Sequence, residues 1–150
     1  MYQHILIPTD GSELAERAVT HGLLLAKFLG AAVTVIIVEE PVPTGWWSVA
    51  QNRLADVADI TAKYDEEIKK HSATVLDRAA NAAKHAGVPC DTIHVQDVQP
   101  YEAILAAATE RGCDLIVMAS HGRGGLSAMV LGSVTNKVLT HTKVPVLVVQ

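Results

Sequence analysis

Two short segments carry residue types that can do chemistry. Pro8-Thr9-Asp10-Gly11-Ser12 offers a carboxylate and hydroxyls around a glycine. Ser120-His121-Gly122-Arg123-Gly124-Gly125 gathers glycines around an imidazole and a guanidinium, and Gly132-Ser133-Val134-Thr135 follows shortly after. Glycine is entropically costly to order, so a cluster of it behind an apolar run signals unusual dihedrals or a ligand against the main chain. Amides turned inward by such a loop form an anion nest. A helix starting near Gly132-Ser133 adds unsatisfied N–H groups and the positive end of its dipole. Ser133 and Thr135 contribute hydroxyls, and Arg123 is the one strong cation of the segment. The chemistry this favours is capture of a phosphate chain, chiefly by backbone. Each residue also has a plainer use: Asp10 in an Asx-turn, Arg123 as a solvated charge, Gly132-Ser133 as a helix start.

The elements that position these loops can be read from periodicity. His4–Pro8 is a short apolar run closed by proline and a turn, which predicts a buried strand. Ser12 is placed as N-cap, with Glu13 in the first turn. Leu14, Ala15, Ala18, Val19, Gly22, Leu25, Ala26 and Leu29 follow at helical spacing, up to Gly30. Residues 32–38 are β-branched and apolar, a strand buried on both faces. Residues 39–52 form the longest irregular stretch and contain Trp46 and Trp47, which either close over a ligand or partner or pin the loop to the body.

From Arg53 to Ala86 there is neither proline nor glycine. Leu54, Val57, Ala58, Thr61, Tyr64, Ile68, Val75, Leu76, Ala79, Ala82 and Ala83 predict one apolar helix face along that length. A strand over 90–96, a helix from Pro100 to Gly112 and a strand over 113–119 come next. The glycine loop, a helix over about 132–141 and a strand over 144–149 complete the order. Alternating strands and helices predict one α/β domain over 1–150: a doubly wound, five-stranded parallel sheet of order 3-2-1-4-5 with right-handed crossovers and helices on both faces. Ligands of such sheets bind beyond the carboxyl ends of the strands, where the order reverses. In this order that point lies between the first and fourth strands, the two that carry the unusual loops.

Composition narrows the function classes. A net charge of −4 provides no basic footprint for nucleic acid. No apolar run approaches the roughly 20 residues that span a bilayer. The N-terminal stretch lacks the basic-then-apolar pattern of a signal peptide. Cys90 and Cys113 stand in no metal or redox spacing and suit reduced thiols of a cytoplasmic protein. The seven histidines show no metal-ligand spacing. A Walker lysine is missing, Ser127 breaks the dinucleotide G-x-G-x-x-G, and Met118 breaks a nucleophile elbow around Ser120. Ser120 and His121 are chain neighbours, an awkward arrangement for nucleophile and base.

The segments ILIPTDGS, DLIVMASHGRGG, LGSVTNKVL and VPVLVV, in this order and spacing, resemble the universal stress protein family over essentially the whole chain. Nucleotide-binding members carry G-x-x-G, nine residues, then G-[ST]. Here the motif runs Ala119-Ser120-His121-Gly122, nine residues, Gly132-Ser133, with alanine at the first glycine. The resemblance implies that Pro8 and Thr9 border an adenosine, and that Asp10 accepts ribose hydroxyls or helps hold Mg2+. It implies that the Val38 main chain reads the adenine edge and that Ala119 flanks the ribose. Gly122, Gly132, Ser133 and Val134 would bind phosphates, with His121, Arg123 and Thr135 beside them.

The ligand so implied is ATP, ADP or AMP, with Mg2+ as a companion. Phosphoryl transfer relies on concentrated positive charge and an oriented nucleophile. With no lysine in the loop and no placed base, the expectation is binding by a regulatory stress sensor with little or no hydrolysis. A nucleotide-free dimeric scaffold and a slow ATP hydrolase are the alternatives. The strand Val144–Val149 would lie at a sheet edge and invite a homodimer.

Overall fold

A computed structural model of the protein describes residues 1–42, 54–122 and 131–150, with 54–57 described by main chain alone. The elements are β1 (His4–Pro8), α1 (Glu13–Leu29), β2 (Ala32–Glu39), α2 (Leu54–Ala86), β3 (Cys90–Gln96), α3 (Pro100–Glu110), β4 (Leu115–Ala119), α4 (Ser133–His141) and β5 (Val146–Val149). The sheet has the expected order β3-β2-β1-β4-β5, and all neighbouring strands run parallel.

Alternation along the strands builds two cores. Ile5, Ile7, Val33, Val35, Ile37, Leu115 and Val117 face α1 and α2, where they meet Ala15, Ala18, Leu23, Val75 and Ala79. Leu6, Ile36, Ile116 and Met118 face α3 and α4, against Ile104, Ala107, Ala108 and Val138. With few aromatics, the layers approach closely on small residues. Gly22 of α1 is the extreme case: a Cβ there would run into the Ile7 side chain and come within 3.6 Å of the Val117 Cβ.

The helix ends follow their local chemistry. Ser12 caps α1 by accepting the Ala15 N–H at 3.3 Å, and Gly30 closes it in the left-handed conformation at φ 69°. Pro100 occupies the first turn of α3, where its missing N–H costs nothing. At the other end of the sheet the Asp114 carboxylate accepts the Gln3 and His4 amides at 2.8 and 3.0 Å, which fixes the entry to β1. Cys113 is buried, and its thiol is pushed up to about 11 by that burial first, with Asp114 adding to it. It is accordingly a neutral, unreactive packing group. No described helix is long and apolar enough to cross a membrane.

Two sequence expectations need correction. The last strand begins at Val146, because Val144 donates its amide to the Thr142 hydroxyl at 2.9 Å and Pro145 has none to give. The apolar face of α2 is not uniformly buried: Ala58, Tyr64 and Ala82 are exposed, and no residue from Ala58 to His71 is buried. Among the described side chains of α2 the buried ones are Ser72, Val75, Leu76, Ala79 and Ala83. A stretch of 15 residues at about 1.5 Å each roughly matches the length of β2. The part of α2 before Ser72 therefore extends beyond the carboxyl ends of the strands.

Candidate functional site

The cleft arises from how the strands part. β1 pairs with β4 only at Ile5↔Leu115 and Leu6↔Ile116. Beyond that point β1 stays with β2, through the Thr9 amide on the Ile36 carbonyl at 2.9 Å, and β4 stays with β5, through the Ser120 amide on the Val149 carbonyl at 2.8 Å. The gap between them opens into a cavity of about 470 Å³. Pro8, Thr9, Asp10, Val38, Ala119, His121, Gly122, Gly132, Ser133, Val134 and Thr135 all line it, so the sequence-assigned residues that are described converge on one place. Arg123, Gly124 and Gly125, like Trp46 and Trp47, lie outside the described residues.

Close approach explains the glycines. A Cβ on Gly122 would stand 2.5 Å from Oδ2 of Asp10, so the two loops meet across the gap only because that position is bare. The Asp10 carboxylate cannot simply swing aside, since its Oδ1 accepts the Ser12 amide at 2.9 Å in an Asx-turn. A Cβ on Gly132 would lie 3.0 Å from the His121 Cα and 3.2 Å from the Ser120 carbonyl oxygen, to which the Gly132 amide donates at 2.8 Å. The start of α4 is thereby laid directly on the end of β4.

Gly132 caps α4 with no side chain, and the first turn contains no acidic residue. The Asn136 amide already bonds the Gly132 carbonyl. The earlier amides of that turn have no intrahelical acceptor and sit at the positive end of the helix. The Thr135 hydroxyl is engaged in donating to the Ala119 carbonyl at 2.9 Å, so its proton serves the fold and its lone pairs are what it can offer a ligand. Ser120 is buried and shares a 3.1 Å contact with Nδ1 of His121, which steadies the imidazole at the cleft wall without exposing a nucleophile.

At the other end, parity places the main chain of Val38. In a parallel strand alternate residues point both peptide groups to the same side. The Ile36 carbonyl faces β1, where Thr9 makes the last bond, whereas the Glu39 carbonyl faces β3 and accepts the Asp97 amide at 3.0 Å. The N–H and C=O of Val38 therefore point toward the β1 side, past the last β1–β2 pair Pro8↔Ile36 and into the cleft. A donor and an acceptor side by side on an apolar wall suit the edge of a planar heterocycle.

That wall was the part missed from sequence. Ala15, Ile36, Pro100, Ile104, Met118 and Leu131 line the cavity beside the expected residues. Each is an ordinary core or turn residue type, and nothing in the pattern separates a side chain facing a cavity from one facing a neighbour. Asp10 is the one carboxylate among the described lining residues, and those residues contain no cluster of three or more groups fit to hold a metal unaided.

Fold and cleft together define a doubly wound α/β protein with a cavity at its switch point, bordered by a helix start that has no side-chain cap. The profile of the universal stress protein family matches residues 1–150, and the chain belongs to that family. Universal stress protein YxiE of Bacillus subtilis is 31% identical over 156 aligned positions, covering both chains fully. Universal stress protein MJ0577 of Methanocaldococcus jannaschii is 30% identical, covering this chain fully and 96% of its own. The solved MJ0577 structure superposes with a TM-score of 0.79 over 99% of this chain and 96% of that one. A universal stress protein crystallised in complex with cAMP gives a TM-score of 0.72 at 27% identity, over 99% of this chain and 97% of that one.

Proposed function

We propose that this chain binds an adenine nucleotide in the cleft between β1 and β4 and acts as a non-catalytic stress-response sensor. The convergence of Asp10, Val38, Gly122, Gly132 and Ser133 on one cavity carries the reading. Val38 presents a peptide edge for the base, Asp10 sits where ribose hydroxyls would lie, and the uncapped start of α4 offers amides to phosphates. The family relative in complex with cAMP supports an adenine-containing ligand. Among the described lining residues there is no lysine to concentrate positive charge on a transferring phosphate. Asp10 would be the residue to help hold Mg2+, which would offset the charge of the nucleotide's phosphates; that ion commonly takes only one or two protein carboxylates.

Thermal unfolding with AMP, ADP and ATP, each with and without Mg2+, tests the reading. A ligand at a hundred times its Kd stabilises the folded state by about 2.7 kcal/mol. For a chain of this size that corresponds to a Tm rise of about 5–10 °C. No rise with any adenine nucleotide would refute nucleotide binding, and phosphate release at an ordinary enzymatic rate would refute the non-catalytic role.

A second reading concerns assembly. Among the described residues β5 pairs only with β4, and Leu147 on it is 43% exposed. An apolar edge strand open along its peptide groups is matched by a second copy of itself across a two-fold axis. Sedimentation at micromolar concentration is expected to give a dimer, and Leu147→Lys a monomer. A wild-type monomer would overturn the assignment.

A further inference from the structure

Ser72 is 1% exposed, and from Ala58 onward it is the first buried residue of α2. Its hydroxyl donates to Oε1 of Glu39 at 2.5 Å. Glu39 is the last residue of β2, and the one before it, Val38, turns its peptide edge into the cleft. β1 has already left this part of the strand, since its last pairing is Pro8↔Ile36. Beyond that pair the end of β2 is held from the β3 side, by the Val38↔Val95 and Glu39↔Gln96 register and the Asp97 amide on the Glu39 carbonyl. Ser72 grips it from the helix layer.

From this geometry we infer that the Ser72–Glu39 hydrogen bond positions the base-reading edge of Val38, making Ser72 and Glu39 determinants of base selectivity although neither lines the cleft. The inference rests on the nucleotide reading given above. The mechanism is mechanical. Two peptide groups can distinguish the complementary edge of adenine from that of hypoxanthine only if their direction is fixed, because a mobile strand end adjusts to either donor pattern. Discrimination of this kind comes from leaving a polar group unpaired in the wrong complex, and relaxing the site removes that penalty.

The test compares AMP with IMP by calorimetry on the wild type, Ser72→Ala, Glu39→Ala, the double variant and Glu39→Gln. Wild type is expected to prefer AMP. Ser72→Ala and Glu39→Ala are each expected to lower that preference about three- to tenfold, the range corresponding to one ordinary hydrogen bond. The double variant should be no worse than either single one, since both remove the same link. Glu39→Gln keeps an acceptor oxygen for Ser72 and should retain the preference. A merely structural role would weaken both nucleotides equally and leave the ratio unchanged. A wild type that prefers AMP alongside a Ser72→Ala protein with the same preference overturns the inference alone. A wild type that binds neither nucleotide overturns the nucleotide reading and the inference together.

Discussion

Replacing Gly132 with valine is expected to abolish adenine-nucleotide binding while leaving a folded protein. The added Cβ would lie 3.0 Å from the His121 Cα and 3.2 Å from the Ser120 carbonyl oxygen, both main-chain atoms that cannot rotate away. The first turn of α4 must then lift from the end of β4, which carries the Ser133 and Val134 amides away from the phosphate position. Hydrogen bonds to a charged group contribute about 1.5–3 kcal/mol each. Losing both corresponds to a weakening of about 100-fold or more. Calorimetric titration with AMP or ATP measures it directly, with circular dichroism as the check on folding. Retention of wild-type affinity would show that these amides do not carry the phosphates.

The second large effect concerns stability. Gly22→Val is expected to cost about 3 kcal/mol, seen as a Tm lower by about 6–12 °C. α1 crosses β1 and β4 at that glycine, and any Cβ would enter the space of the Ile7 side chain. Ile7 is fully buried, as is Val117 beside it, so neither can give way without displacing the sheet. The small gain in helix propensity on removing a glycine does not offset this. A thermal melt within 2 °C of wild type would show, at about 2–4 °C per kcal/mol, that the layers are free to separate.

Gly22 also illustrates what the sequence reveals and where it stops. Its place on the apolar face of α1 was legible from helical spacing, and so were the alternation and sheet order, because short apolar runs closed by Pro, Asp and Gly leave few topologies. The site was legible to the extent that its residues are chemically unusual. Asp10, Gly122 and Gly132 stand out by type, and the switch-point rule predicts their meeting. Why Gly122 must be glycine was not legible, since the reason is the Asp10 carboxylate across the gap, far away in sequence. Pro100, Ile104 and Met118 were invisible as ligand contacts because a cavity wall and a packed core draw on the same side chains. The periodicity of α2 indicated which face is apolar but not where the sheet beneath it ends, so Tyr64 was assigned to the buried side and is exposed.

That mismatch in length has a consequence for how the molecule breathes. Within the single helix α2, amides of the turns anchored by Val75, Leu76, Ala79 and Ala83 are expected to exchange with solvent mainly when the domain opens as a whole. Those from Ala58 to His71, where no side chain is fully buried, are expected to exchange sooner, through local opening. One continuous rod thus spans two thermodynamic regimes, and their boundary falls at the residue that grips the end of β2.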